Sequence, residues 1–149
     1  MDVDVRRAIA DDAEDLTALV HSSRAYASRY ASIIDGCVVS ARYIDDHEVH
    51  LAADSLSGAV LGFYSLIVQP PELDLFFVSN ERQGAGIGRL LLDHMTGIAR
   101  RRGLNRFSIV AHPPSEGFYL RMGARRVGTA PARPPRISWA RPQLELTIN

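Results

Sequence analysis

The stretch from Glu72 to Arg102 (ELDLFFVSNERQGAGIGRLLLDHMTGIARRR) constrains this chain most, because an apolar strand passes through a loop with three glycines into an amphipathic helix. Leu73 to Val78 is a short apolar run of the kind that forms a strand buried on both faces. Ile87, Leu90, Leu91, Met95 and Ile98 recur at helical spacing, so the loop opens a helix. Gly84, Gly86 and Gly88 leave the loop backbone bare. Its N–H groups can converge on an anion drawn to the positive end of the helix. Arg82 and Arg89 flank the loop and suit phosphate oxygens. The pattern predicts a diphosphate cradle, and a ligand-free strand-to-helix turn is the rival reading of the same glycines.

Two other phosphate loops do not fit. A P-loop needs a lysine after its last glycine, and this chain has no lysine. A dinucleotide fingerprint needs a glycine where Arg89 stands, and it follows the first strand of a βαβ unit, whereas this loop lies past the middle of the chain.

With 149 residues the sequence predicts a single domain over 1–149. Seventeen basic residues, all arginine, balance seventeen acidic ones, so no net field favours nucleic acid as a partner. A lone cysteine, Cys37, excludes an internal disulfide and fits a reducing compartment. No signal-peptide core opens the chain, and no apolar run approaches the roughly 20 residues that span a bilayer. The expectation is a cytoplasmic protein without a membrane partner.

Alternation over Val3 and Val5 predicts a half-exposed first strand ending near Ile9. Acids from Asp11 to Asp15 open a helix that carries Leu16, Leu19 and Val20 and runs to about Arg24. One or two short helices follow between Ala25 and Asp46, with a break at Asp35-Gly36. Val49–Ala53 and Ala59–Val68 form strands two and three around a turn at Asp54–Gly58. His47 and His50 lack the spacing of a zinc motif and are read as surface histidines, with no metal expected. Arg100-Arg101-Arg102-Gly103 caps the long helix. Arg106–Ala111 is strand five, parallel to strand four because a helix intervenes. A short helix from Pro113 ends at Gly123, and Ala124–Thr129 is strand six. Ala130–Pro142, with four prolines around Trp139, is no central strand. The alternation of Leu144, Leu146 and Ile148 gives a last strand pairing with strand six.

Gln83-Gly84-Ala85-Gly86-Ile87-Gly88 resembles the Gln/Arg-x-x-Gly-x-Gly/Ala signature of the GCN5-related N-acetyltransferases (GNAT). Phe118-Tyr119-Leu120-Arg121-Met122-Gly123-Ala124 is similar to their Phe-Tyr-x-x-x-Gly-Phe segment. The resemblance implies a mixed α+β fold. Its central, mostly antiparallel sheet has six to seven strands, a parallel, splayed strand 4/strand 5 pair, and about four flanking helices. It implies acetyl-coenzyme A as co-substrate, held by Phe76, Phe77, Val78, Gln83, Gly84, Ala85, Gly86, Ile87, Gly88, Arg89, His112, Phe118 and Tyr119. His112 stands where many members have asparagine, and Ala124 where they have phenylalanine.

The resemblance further implies acetyl transfer to a primary amine on a small molecule or peptide, with Tyr119 returning a proton to the leaving thiolate. With a phenol pKa of about 10 and a thiol near 8.5, full transfer is uphill by about 2 kcal/mol, so a hydrogen bond to sulfur is expected first. A packed aromatic is the other reading of Tyr119. Glu72 falls on the position some members use as general base, and Asp74 shares its face two residues on. An ordinary carboxylate near pKa 4.3 is roughly six units too acidic for an alkylammonium, so a raised pKa, a water chain or a neutral amine is required, and a structural ion pair is the alternative. Tyr26, Tyr30 and Asp74 are the residues expected to meet the acceptor, the tyrosines otherwise packing over the sheet edge. The acids Asp45, Asp46 and Glu48 read as a solvated surface run. A homodimer through the last strands is expected.

Overall fold

The computed structural model describes residues 2–23, 26, 28–135 and 137–148. Seven strands form one sheet: β1 (Val3–Arg7), β2 (Glu48–Asp54), β3 (Val60–Ile67), β4 (Glu72–Val78), β5 (Arg106–Val110), β6 (Arg125–Ala130) and β7 (Arg141–Thr147). Their spatial order is β1-β2-β3-β4-β5-β7-β6. Every neighbouring pair is antiparallel except β4 and β5, which are parallel. The α-helices among the described residues are α1 (Ala13–Ser22), α2 (Ala41–Asp46), α3 (Ile87–Arg101) and α4 (Glu116–Arg121), and a 3-10 helix covers Ser28–Ile33. The mixed fold expected from the sequence is the fold observed.

Each face of the sheet carries its own apolar layer. On one, α3 buries Ile87, Leu91, Leu92, Met95, Ile98 and Ala99 against Tyr64, Leu66, Leu73, Phe107, Ile109 and Leu144. Burying the isoleucine, leucine and methionine side chains of this layer stabilises the fold by about 1.5–3 kcal/mol each. On the other face, Leu16 and Val20 of α1 and Ile44 of α2 pack on Val49, Leu51, Phe63 and Phe77. The α3 stripe differs from the expected one in that Leu90 is exposed while Leu92 and Ala99 are buried. Among the described residues no helix is long and apolar enough to cross a membrane.

A β-bulge in β4 positions the site. Leu66 pairs with Leu73 but Ser65 pairs with Leu75, leaving Asp74 as the extra residue. The bulge reverses the alternation: Leu73, Phe76 and Val78 face the α3 layer, and Leu75 and Phe77 face the α1 layer. Leu75 N–H donates to Ser65 Oγ at 2.9 Å, and Tyr43 Oη contacts Ser65 Oγ at 2.7 Å and donates to Asp74. β4 is not buried on both faces as its apolar run predicts. Only Leu73 and Phe77 are buried, because β5 pairs with it solely at Glu72/Ser108 and Leu73/Ile109 and then diverges.

Other expectations also change. The N-terminal strand ends at Arg7, α1 closes at Ser22, and the expected end at Arg24 lies outside the described residues. His50 is no surface histidine: it is buried, with Nε2 2.9 Å from Glu48 Oε1. Glu48 is likewise buried rather than part of a solvated acidic run, since Arg7 and Arg102 both reach its carboxylate. Arg102 therefore does more than cap α3. The last strand begins earlier than its alternation suggests, because Pro142 lies inside β7, between β5 and β6. A proline fits there because the ladder uses its carbonyl, which accepts Ala111 N–H at 2.9 Å.

Candidate active site

The glycine loop works in two parts. Gly84 (φ 80°) and Gly86 (φ 83°) occupy the left-handed region, where a side chain is strained, and open space surrounds both. Their N–H groups, with those of Ile87 and Gly88, find no backbone acceptor among the described residues. Gly88 has a different task. A Cβ there would stand 3.3 Å from the Phe118 ring, so the bare position lets the start of α3 approach α4. Gln83 Nε2 donates to Val78 O at 3.0 Å and ties the loop to the end of β4.

Beside this loop runs a cavity of about 450 Å³, lined by Phe76, Phe77 and Val78 of β4, by Gln83, Gly84, Gly86, Gly88 and Arg89, and by Pro114, Ser115, Phe118 and Tyr119. Arg82, Arg89 and Arg121 surround it with positive charge. Free N–H groups, a left-handed backbone that leaves room and three guanidinium groups fit a polyphosphate ligand. Nearer the sheet, the edge of β4 beyond Leu73 has no ladder partner on β5, so its peptide groups face the gap.

At the inner end the cavity meets a second one of about 220 Å³, and Tyr26, Phe76, Phe77 and Tyr119 line both. Tyr119 is buried, with the Phe118 and Phe76 rings at 5.3 and 6.0 Å. Burial first, and then Tyr26, push its phenol above the ordinary tyrosine range, so it keeps its proton. The second cavity is walled by Glu72, Asp74 and Leu75, by Cys37 and Ile34, by Val110, Ala111 and His112, and by Arg141. Burial and then the charge of Asp74 raise the Glu72 carboxyl above its usual pKa. Tyr26 stacks on His112 with centroids 3.9 Å apart, and its own pKa is pushed up to about 12 by burial, against the opposing charge of Arg141.

The residues singled out in the sequence divide between these cavities. Val78, Gln83, Gly84, Gly86, Gly88, Arg89 and Phe118 line the larger one, Glu72, Asp74 and His112 the smaller, and Tyr26, Phe76, Phe77 and Tyr119 both. Ile87 turns its side chain into the core, and Ala85 N–H is bonded to Arg82 O at 3.1 Å. Tyr30 lines neither of these two cavities; it packs edge-on against His112 and Trp139. Arg121 and Arg141 were missed. The first sits three residues after Phe118, the same face of a helix, which is a readable signal. The second reaches the cavity through the strand order, which leaves no mark in local sequence.

Residues 9–134 match the family model of the acetyltransferase (GNAT) domain. No curated protein sequence matches the chain. Solved structures share its fold at low identity. A GCN5-related N-acetyltransferase from Rhodopseudomonas palustris is 21% identical with a TM-score of 0.82, the match covering 99% of this chain and 96% of that one. The PaiA N-acetyltransferase of Thermoplasma acidophilum, solved with coenzyme A, is 18% identical with a TM-score of 0.79 and 99% of each chain covered. The yncA protein of Salmonella typhimurium, solved with acetyl-CoA, is 17% identical with a TM-score of 0.72, covering 100% and 95%.

Proposed function

Because the chain belongs to the GNAT acetyltransferase family, we propose that it works as one domain over residues 1–149, moving an acetyl group from acetyl-coenzyme A directly to a primary amine. The observation that carries this reading is the junction, where an anion-binding groove and a carboxylate-bearing cavity share Tyr26, Phe76, Phe77 and Tyr119. Acetyl-coenzyme A supplies the acyl group as a thioester, with a thiolate as leaving group. The N–H groups at the head of α3, with Arg82, Arg89 and Arg121, bind its diphosphate. Peptide groups on the unpaired edge of β4 hold its amide-bearing arm, and one N–H there polarises the acetyl carbonyl. One C–N bond forms and one C–S bond breaks. The amine nitrogen gives up a proton and the sulfur gains one.

Glu72 takes the proton from nitrogen. Its raised pKa narrows the roughly six-unit gap to an alkylammonium, and deprotonation assisted by a bound water covers the remainder. Tyr119, held neutral by burial, donates a hydrogen bond to the sulfur; because its pKa is raised, full transfer is more uphill than for an ordinary phenol, and the proton passes only as the C–S bond opens. Family relatives solved with coenzyme A or acetyl-CoA support the choice of co-substrate.

The test is calorimetry with coenzyme A, ATP and NAD, followed by thiol release from acetyl-coenzyme A across an amine library. Coenzyme A alone is expected to bind; a preference for ATP or NAD would overturn the reading. Tyr119→Phe should lower kcat about tenfold or more while coenzyme affinity stays within about twofold. Unchanged turnover would remove Tyr119 from the mechanism, and binding without turnover of any amine would make the protein an acyl-coenzyme A sensor.

A further inference from the structure

One charge in the smaller cavity has no part in the transfer just described. Arg141 opens β7 opposite Ala130, beside the end of β5, where Ala111 N–H donates to Pro142 O. Its side chain lines the cavity, yet its Nε is buried without a hydrogen-bond partner, and no carboxylate among the described residues forms an ion pair with it. Arg6, Arg7, Arg82 and Arg102 all have acidic partners. A guanidinium keeps its charge at any physiological pH and presents five donors in a fixed fork, so a half-buried one at a cavity, with Nε buried and unpartnered, calls for an anion of matching shape.

The opposite wall has the other sign. Glu72 and Asp74 line the same cavity from β4, and neither pairs with Arg141. Tyr26, stacked on His112, and Leu75 line the same cavity. The segment leading into Arg141 is pinned: Trp139 is buried and packs edge-on against Tyr30 at 4.9 Å, and Tyr30 packs in turn on His112 at 4.6 Å. The positive wall is thus held by the same aromatic set that backs the cavity.

We propose that the acceptor is a small amino-acid-like zwitterion, its ammonium group at Glu72 and Asp74 and its carboxylate in the fork of Arg141. This rests on the acetyl-transfer reading. A polyamine would set a second cation against Arg141, and a simple alkylamine would leave its buried Nε without an acceptor. A cavity of about 220 Å³ suits a single amino acid. The ligand's two charges then complete both walls.

The test pairs each of the common amino acids with its α-carboxamide, which keeps the ammonium group and removes the negative charge. Calorimetry on the protein saturated with coenzyme A gives the binding preference, and thiol release from acetyl-coenzyme A gives kcat/KM. At least one amino acid should exceed its amide about tenfold or more in both, because a site built around a bonding group rejects the analogue lacking it. Arg141→Gln should bring that ratio to about one, and Arg141→Lys should restore part of it. Near-UV circular dichroism checks that the variants fold; where they do not, the wild-type ratio decides. Equal affinity for acids and amides, no binding of any amino acid, or faster turnover of an amine without a carboxylate would each overturn the proposal. Absence of thiol release from every amine would instead sink the transfer reading, and the calorimetric ratio would still decide the carboxylate site.

Discussion

Glu72 and Asp74 illustrate how far a single residue's chemistry depends on its neighbours. Two residues apart on β4, both stand at the smaller cavity, and the charge of Asp74 adds to burial in raising the Glu72 pKa. Asp74→Asn removes one of those two causes, so the Glu72 midpoint in a carbon-13 NMR titration should fall. An unmoved midpoint would leave burial as the sole cause. Spacing alone put both acids near the acceptor. It could not reveal that Tyr43, thirty-one positions away, holds Asp74 by a hydrogen bond, nor that Arg141 lines the same cavity as the pair, because both depend on which elements become neighbours. The place of Tyr119 at both cavities was legible because its motif is contiguous.

Among the elements, α3 and its loop were the most legible, since helical periodicity, three glycines and a basic end all lie within one stretch. β4 was misread because an apolar run is the same whether a strand is covered by a neighbouring strand or borders a gap. A local device holds β4 close to β3. A Cβ on Gly62 would stand 2.7 Å from Phe77 O and 3.0 Å from Leu91 Cδ1, so only glycine permits the approach. Gly62→Ala must move backbone rather than a flexible tip. It should cost about 1–3 kcal/mol, which lowers the melting temperature by about 2–4 °C per kcal/mol in a chain of this size. It should also weaken coenzyme A affinity, because Phe77, whose backbone it displaces, lines the groove. A variant as stable as wild type would refute this account of Gly62.

Across the whole molecule, Glu48 joins parts far apart in sequence: Arg7 of β1, His50 of β2 and Arg102 after α3 all contact its carboxylate. Burial pushes its pKa up, but hydrogen bonds from His50 and Arg102 and the charge of Arg7 outweigh that and hold it below the ordinary value. A carboxyl with a depressed pKa contributes stability above its unfolded pKa, and that contribution is lost as pH falls through the folded value. Glu48→Gln should therefore be less stable at neutral pH, by about 1–3 kcal/mol given that both arginines remain half-exposed, and should lose less stability than wild type below about pH 5. Melting curves recorded across pH check this; parallel declines would refute it. The short contact between β4 and β5 has a consequence at the same scale. With only two rungs joining them, the sheet is a panel of four strands and a panel of three meeting at a seam. Any arm of a bound molecule laid along that seam acts as a missing rung, so loading the protein should slow amide exchange in both panels at once, and the fold is mechanically complete only while it is at work.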